Sequence, residues 1–407
     1  MTKACRSVFA CSAYVFEMLV RGTYALRTGR GVASLTAACV LFFTMTAEAE
    51  GGASYVPTPE TTEIAALFSM AVYRGEENGL AWRLLEAEGF EPRIVTISGY
   101  RTAVGTRVAN GRTERVLAIA GTESKAGLRL DLETSIIPLI DDDTEAIESG
   151  SDILVHRGYA KLSRDILDSE AFRALVGDTD GPILLTGHSL GGAVALITAL
   201  TSSIRDDAMA ARIEVVTFGA PLIGNPKAAE SLNAIHYRAY EMESDPIPRA
   251  FQILHDRYRG SYASREKWRS YAPDLDVPHA MFLYMDEAIR RRYVDRTEAD
   301  EVQGNRIDIR IRDGVGLPSE ALRAYRNAIR FVLSGDGKSA EASGHIHVEV
   351  DFIKNKESLV GNYHAVVVII VDDNPERAVF RVVTDGGYTL LPQLIDGLHQ
   401  ARILGYL

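Results

Sequence analysis

Cysteine is scarce in this chain and is confined to its first 39 residues. The three cysteines among the 407 residues are Cys5, Cys11 and Cys39. If the segment up to Ala49 is removed, as argued below, the remaining chain has no cysteine. A disulfide framework and a thiol nucleophile are then excluded.

Positive charge is also in deficit. The chain has 44 basic and 55 acidic residues, for a net charge of -11. A polyanion would be repelled by most of such a surface, so we expect no nucleic-acid partner. The hydrophobic fraction of 46% indicates a globular protein with a large core rather than a disordered acidic chain.

The apolar run near the N-terminus is shorter than a membrane-spanning helix, which needs about 20 residues. This run, residues 31–46, follows Arg27 and Arg30 and is followed by Ala47-Glu48-Ala49. A basic flank, a short apolar stretch and an A-x-A ending are typical of a cleavable export signal. We therefore expect residues 1–49 to be a signal peptide cut near Ala49, and the product to be secreted or periplasmic. An uncleaved anchor is the alternative.

Short apolar runs alternate with helical periodicity between residues 61 and 289. The strand candidates are residues 115–120, 183–187, 213–218 and 235–241. The helix candidates are residues 64–73, 160–168, 191–204 and 280–293. This alternation predicts an α/β fold with a mostly parallel central sheet over residues 50–295.

The last part of the chain, residues 296–407, predicts a small α+β module of unknown role. Its charged beginning, residues 297–313, is interpreted as a linker. The elements expected after it are a helix over 319–333, strands over 345–353, 364–371 and 378–384, and a helix over 392–404. The module is either a separate domain or an elaboration packed on the first domain.

One passage predicts a nucleophile. Residues 182–192 read as an apolar strand, then Gly187-His188-Ser189-Leu190-Gly191, then an alanine-rich helix. G-x-S-x-G between a strand and a helix is the pattern of a nucleophile elbow, in which a strained turn exposes the serine oxygen. The alternative, a glycine-rich turn without chemistry, does not require that context.

A serine hydroxyl needs a histidine to take its proton and a carboxylate to orient that histidine. In hydrolases built on such an elbow the acid follows the serine in the chain and the histidine comes last. Asp245 lies just past a strand candidate, and His279 lies at the start of a helix candidate. His255 is the competing base, since it also follows Asp245.

Six segments together resemble the class 3 (fungal-type) lipase family, over about residues 60–295. They are Ala120-Gly121-Thr122, Val155-His156-Arg157-Gly158-Tyr159, Gly187-His188-Ser189-Leu190-Gly191-Gly192, Thr217-Phe218-Gly219-Ala220-Pro221, Asp245-Pro246-Ile247-Pro248 and His279-Ala280-Met281-Phe282.

The resemblance implies an α/β-hydrolase fold and assigns roles to five residues. Ser189 is the implied nucleophile, Asp245 the acid and His279 the base. Thr122 and the backbone N–H of Leu190 are the implied oxyanion-hole donors. By the same resemblance His188 is structural, while His156, upstream of the serine, is expected to pack near the elbow.

Neither the residues nor the resemblance imply a metal or an organic cofactor. His345 and His347 share one strand face and could form half of a metal site with His364. The polar face of a strand is the simpler interpretation, because the ligand set is incomplete.

Residues 134–140 bear on the substrate. This apolar segment is flanked by acidic residues, and in the resembled family the interval between Thr122 and His156 holds a lid. The segment is therefore either a cover for an acyl pocket or a lipid-docking element, or a strand or helix of the core.

The function that follows is hydrolysis of acylglycerols or related carboxylic esters through an acyl-enzyme, on a lipid or small ester substrate. A lipid–water interface is a candidate place of action. A phospholipase or a short-chain carboxylesterase would use the same residues. The alternative from another class is a catalytically silent hydrolase scaffold whose C-terminal module binds a surface or partner. The oligomeric state is left open.

Overall fold

The computed structural model describes residues 55–74, 79–122, 135–139, 152–177, 181–249, 262–269, 279–296, 301–302, 305–314, 316–334, 345–354, 363–371, 378–383 and 390–403. The proposed signal peptide and His255 lie outside these residues. Residues 54–407 form one compact unit.

A seven-stranded sheet forms the centre of the first part of this unit, in the order β1-β2-β3-β6-β7-β8-β9. The strands are β1 Arg93–Ile97, β2 Tyr100–Ala109, β3 Arg112–Ile119, β6 Ile183–His188, β7 Ile213–Phe218, β8 His236–Met242 and β9 Arg265–Trp268. The pairs β3–β6, β6–β7, β7–β8 and β8–β9 are parallel, whereas β1–β2 and β2–β3 are antiparallel. The predicted α/β class with a mostly parallel sheet is confirmed, and the antiparallel pair at one edge is an addition to it.

Helices cover both faces of this sheet. They are α1 Pro59–Arg74, α2 Leu80–Ala87, α3 Arg157–Leu167, α4 Glu170–Val176, α5 Leu190–Arg205, α6 Asp207–Ala210, α7 Pro226–Ser231 and α8 Met281–Val294. A separate two-stranded ribbon pairs β4, Ile136–Pro138, with β5, Leu154–His156.

Alternate residues of the central strands enter two different core clusters. In β3, Leu117 packs with α3 and α5, whereas Ala118 packs with α1 and α8. Successive side chains of a strand point to opposite faces, so the sheet separates two apolar layers. The arrangement agrees with the α/β-hydrolase fold that the resemblance implies.

The C-terminal part contains a five-stranded sheet in the order β10-β11-β12-β13-β14. Its elements are β10 Glu301–Val302, β11 Asn305–Asp313, α9 Ser319–Ser334, β12 His345–Lys354, β13 Tyr363–Val371, β14 Ala378–Val383 and α10 Leu390–Ile403. This confirms the predicted α+β character. The division of the chain at residue 295 remains a prediction.

The linker that residues 297–313 could hold does not extend into their second half. Residues 305–313 form β11, which pairs in parallel with β12. The sequence there alternates Ile307, Ile309 and Ile311 with charged residues, a period of two that predicts a half-buried strand. The high charge of the outer face obscured this period.

The C-terminal part packs on the side of the central sheet that carries α8. Ala328 and Ile329 of α9, Val350 of β12 and Leu394 of α10 belong to the same apolar cluster as α1 and α8. Two ion pairs add to this packing: Arg290 contacts Glu320, and Arg83 contacts Asp396. Within the described ranges, no helix combines the length and apolarity required to cross a membrane.

Candidate active site

Ser189 lies at the turn between β6 and α5. Its φ of 57° and ψ of -130° belong to a region that residues with a side chain rarely adopt. Such strain is typical of a nucleophile elbow, since it lifts the hydroxyl out of the sheet edge. Close packing supports the turn: a Cβ on Gly191 would overlap the backbone oxygen of Ile119.

Three side chains from three separate turns form one hydrogen-bonded chain. His279 Nε2 lies 2.8 Å from Ser189 Oγ, and His279 Nδ1 lies 2.7 Å from Asp245 Oδ2. Asp245 follows β8, and His279 precedes α8. With Nδ1–H donating to the carboxylate, Nε2 is free to accept the serine proton.

The side chains of Asp245 and His279 differ in burial. The side chain of Asp245 is fully buried, whereas that of His279 is 27% exposed. Asp245 also accepts a hydrogen bond from the backbone N–H of Ile247 to Oδ1, at 2.9 Å. The carboxylate is thus held inside the protein, while the imidazole is partly exposed.

Tyr284 is a residue of the site that sequence reasoning missed. Its buried hydroxyl donates to Asp245 Oδ2 at 2.7 Å and accepts from the backbone N–H of Met242 at 2.9 Å. Burial, together with the charge of Asp245, raises the pKa of Tyr284 well above its ordinary value, so the phenol remains a donor. The sequence signal for Tyr284 was weak, because it consisted only of its spacing from Met281, three residues earlier on the inward face of α8.

Gly219 allows the acid and the base to meet. It adopts φ 58°, and a Cβ there would lie 2.8 Å from Asp245 Oδ2 and 3.1 Å from the His279 ring. Any side chain would meet both the unfavourable backbone conformation and this contact. The motif Thr217-Phe218-Gly219-Ala220-Pro221 therefore has a direct reason to contain glycine.

Two further predicted residues, Leu190 and Thr122, lie next to the elbow or to the strand end beside it. Leu190 is the first residue of α5, and an N–H at that position has no acceptor within its own helix. The end of β3 runs beside the elbow, since a Cβ on Gly121 would lie 2.9 Å from the backbone oxygen of His188. Thr122 follows directly and is exposed.

The other histidines take different positions. His156 is fully buried, stacks on Tyr159 and accepts the Tyr159 N–H at the start of α3. His188 is buried beside the elbow, where its Nδ1 lies 2.6 Å from the Tyr73 hydroxyl. Of the described histidines, only His279 is hydrogen-bonded to Ser189 Oγ.

The described part of the apolar segment 134–140 belongs to the core. Residues 136–138 form β4, and Ile137 and Leu139 are buried in the cluster that contains α3 and α5. Residues 123–134 and 140–151 lie outside the described residues.

No group of three potential metal ligands among histidine, cysteine, aspartate and glutamate converges in the part of the chain that the structure describes. The backbone register also separates the histidines of the C-terminal sheet. His347 pairs with Ile370, whereas His364 pairs with Ile353, six residues or about 20 Å further along the strand. His347 and His364 therefore cannot share a metal ion in this arrangement.

Comparison with known proteins identifies a family for part of the chain. Residues 116–255 match the model of the lipase (class 3) family. The chain is 32% identical over 300 residues to the phospholipase A1 PLIP1, chloroplastic, of Arabidopsis thaliana, covering 67% of this chain and 43% of that protein. It is 42% identical over 75 residues to lipase A of Sodiomyces alcalophilus, covering 17% of each.

The chain thus spans less than half the length of these curated relatives. Among solved structures, it is similar to a Rhizomucor miehei lipase propeptide complex, with 19% identity, a TM-score of 0.39, and coverage of 53% of this chain and 70% of that one. It is also similar to the Lip2 lipase from Yarrowia lipolytica, with 17% identity, a TM-score of 0.40, and coverage of 53% and 80%.

Proposed function

We propose that this chain, which carries a class 3 lipase domain across residues 116–255, is a lipase-like carboxylic ester hydrolase acting through an acyl-enzyme. The observation that carries the proposal is the hydrogen-bonded chain from Asp245 through His279 to Ser189 Oγ, at 2.7 and 2.8 Å. A strained serine with an aligned base and a buried acid is the arrangement that activates a hydroxyl nucleophile.

In the first half of the reaction, Ser189 Oγ attacks the ester carbonyl carbon and its proton passes to His279 Nε2. Asp245 stabilises the imidazolium and keeps its Nδ1–H directed inward. The N–H of Leu190 and a donor from Thr122 stabilise the tetrahedral oxyanion. The C–O bond to the alcohol then breaks, and the alcohol leaves with the proton from His279 Nε2.

In the second half, His279 takes a proton from water, whose oxygen attacks the acyl-Ser189 carbonyl carbon. The second tetrahedral intermediate uses the same donors. Its collapse breaks the bond to Ser189 Oγ, which recovers the proton from His279, and the carboxylic acid is released. No step requires a group outside the chain, the ester and water.

The decisive experiment is the Ser189→Ala variant assayed with a chain-length series of p-nitrophenyl esters. We expect loss of about 10⁴-fold or more in kcat, because the remaining groups have no nucleophile to activate, with the fold retained by circular dichroism. Turnover retained by Ser189→Ala would refute the assignment. An inactive wild-type chain would favour the silent scaffold instead.

A phospholipase A1 is the second candidate, and the 32% identity to the Arabidopsis protein of that name favours it. Phosphatidylcholine with different acyl chains at its two positions separates the candidates. A phospholipase A1 releases the acid of the first position, whereas a triacylglycerol lipase prefers trioleoylglycerol. An activity increase above the solubility limit of a short-chain ester would indicate action at a lipid–water interface.

We also propose that the protein is exported after cleavage near Ala49 and takes part in lipid degradation outside the cytoplasm. The support is the order of basic flank, short apolar run and Ala47-Glu48-Ala49. Sequencing the N-terminus of the protein from an expressing culture tests this. A product that begins at Glu50 supports export, and an intact residue 1–49 segment in the cell interior contradicts it.

A further inference from the structure

Tyr73 lies near the end of α1, and its hydroxyl contacts the elbow at His188. The hydroxyl is 2.6 Å from His188 Nδ1 and 3.5 Å from the backbone oxygen of His188. The end of its helix is tied to the sheet, because Arg101 of β2 donates a hydrogen bond to the Tyr73 carbonyl at 3.0 Å. Tyr73 and the residue before the nucleophile are therefore held together although 115 positions separate them in the chain.

The same hydroxyl contacts the strand end that leads to Thr122. A Cβ on Gly121 would overlap the Tyr73 hydroxyl and would lie 2.9 Å from the His188 oxygen. Only glycine lets the backbone pass between these two groups. Tyr73 thus lies where the elbow and the proposed oxyanion-binding segment meet.

His188 contacts both Tyr73 and His279. It is 5% exposed, and its ring lies against the His279 ring with centroids 4.4 Å apart and an interplanar angle of 34°. Burial, reinforced by the neighbouring His279, lowers the pKa of His188 well below its ordinary value, while the backbone oxygen of His279 opposes the shift. The lowered pKa favours the neutral form of His188.

A neutral imidazole next to His279 matters for the reaction. During ester cleavage His279 becomes an imidazolium, and a charged neighbour at this distance would repel it. A neutral ring can instead pack against the cation with its π face. The Tyr73 hydroxyl favours this state when it donates to Nδ1, because it stabilises the lone pair of the neutral ring.

We propose that Tyr73 is a positioning residue of the ester hydrolase centre, holding His188 as a single neutral tautomer against His279 and holding Gly121 beside the elbow. The proposal rests on the proposed function and assigns Tyr73 and His188 a role in it. Tyr73 does not touch the reacting atoms; it acts through His188 and through the strand end before Thr122.

The test compares Tyr73→Phe with wild type and with Tyr237→Phe as a matched control. Tyr237 is a buried tyrosine whose hydroxyl, like that of the half-buried Tyr73, makes a hydrogen bond: it accepts the Ser264 N–H at 3.0 Å. It lies in β8, near the start of the strand. The measurements are kcat and KM for p-nitrophenyl butyrate and the inactivation rate with a p-nitrophenyl alkylphosphonate, which reacts at the serine without a deacylation step.

We expect Tyr73→Phe to lower kcat and the inactivation rate about fivefold, the effect of one lost hydrogen bond, with little change in KM. Tyr237→Phe should lower thermal stability without changing kcat. If Tyr73→Phe loses only stability, as the control does, the proposal is refuted while the proposed function stands. If wild type itself does not hydrolyse the ester, it is the proposed function that fails.

A second variant tests the contact with Gly121. Gly121→Ala should cost more than tenfold in kcat while the Tyr73 hydroxyl is present, and less in the Tyr73→Phe background, where the overlap with the added methyl group is reduced. Such coupling is what a double-mutant cycle detects between groups in contact. Equal losses in the two backgrounds would show that Tyr73 and Gly121 act independently and would overturn this half of the proposal.

Discussion

Replacing Tyr284 by phenylalanine removes one oxygen atom from behind the acid of the proposed triad. In the structure this hydroxyl donates to Asp245 Oδ2, the same oxygen that accepts from His279, and it accepts the buried Met242 N–H. The variant therefore breaks a hydrogen bond to a charged group and leaves an N–H donor without an acceptor. The phenyl ring keeps the apolar packing of α8.

The two losses have different consequences. A hydrogen bond to a charged group contributes about 1.5–3 kcal/mol. If the lower value falls on the transition state, kcat decreases about tenfold. The unsatisfied Met242 N–H adds about 1–3 kcal/mol to the loss of folding stability, so we expect Tm to fall by about 5 °C.

A control variant distinguishes a role in catalysis from one in folding alone. Well below its Tm, Tyr284→Phe should still show the roughly tenfold loss in kcat, whereas the Tyr237→Phe control should lose thermal stability without losing kcat. A Tyr284→Phe enzyme with wild-type kcat would refute the reasoning, whatever its Tm.

Three further variants test other features. Ser189→Gly should abolish activity but raise stability by about 1 kcal/mol, because glycine adopts φ 57° without strain; a lower Tm by calorimetry would contradict this. Gly219→Ala should reduce kcat at least tenfold, because the added methyl group would contact Asp245. The control Gly177→Ala also has a positive φ, 50°, but its nearest neighbour is 3.7 Å away, so it should lower stability alone. Equal losses of activity in both variants would point to backbone strain instead. Burial, followed by the charge of Glu287, raises the pKa of Asp286 to about 8, so folding favours its protonated form and stability should fall as pH rises from about 4 to about 8. Asp286→Asn should reduce that fall in thermal melts at pH 5 and pH 8, and an unchanged difference would contradict the shift.

The parallel part of the fold could be predicted because its signals are local. The runs before Gly187 and Gly219 are apolar on both faces, as strands buried on both sides must be, and each precedes a glycine-containing turn. β1, β2 and β11 escaped prediction for the opposite reason. Exposed residues of these strands include charged ones, as in Arg93 and Arg310, so the apolar period between them is short and weak.

The sequence by itself identified the candidate nucleophile and the order in which its proposed partners follow, since an elbow is a local turn and Ser189 lies within one strand–turn–helix unit. The sequence offered His279 and His255 as candidate bases, but the contact between His279 Nε2 and Ser189 Oγ needed the fold, because 90 residues separate the two. Only the tertiary structure identified Tyr284 and Tyr73 as neighbours of the candidate site. Their spacing in the chain resembles that of any buried tyrosine on a helix, and only the packing of α8 and α1 against the sheet brings their hydroxyls to Asp245 and His188.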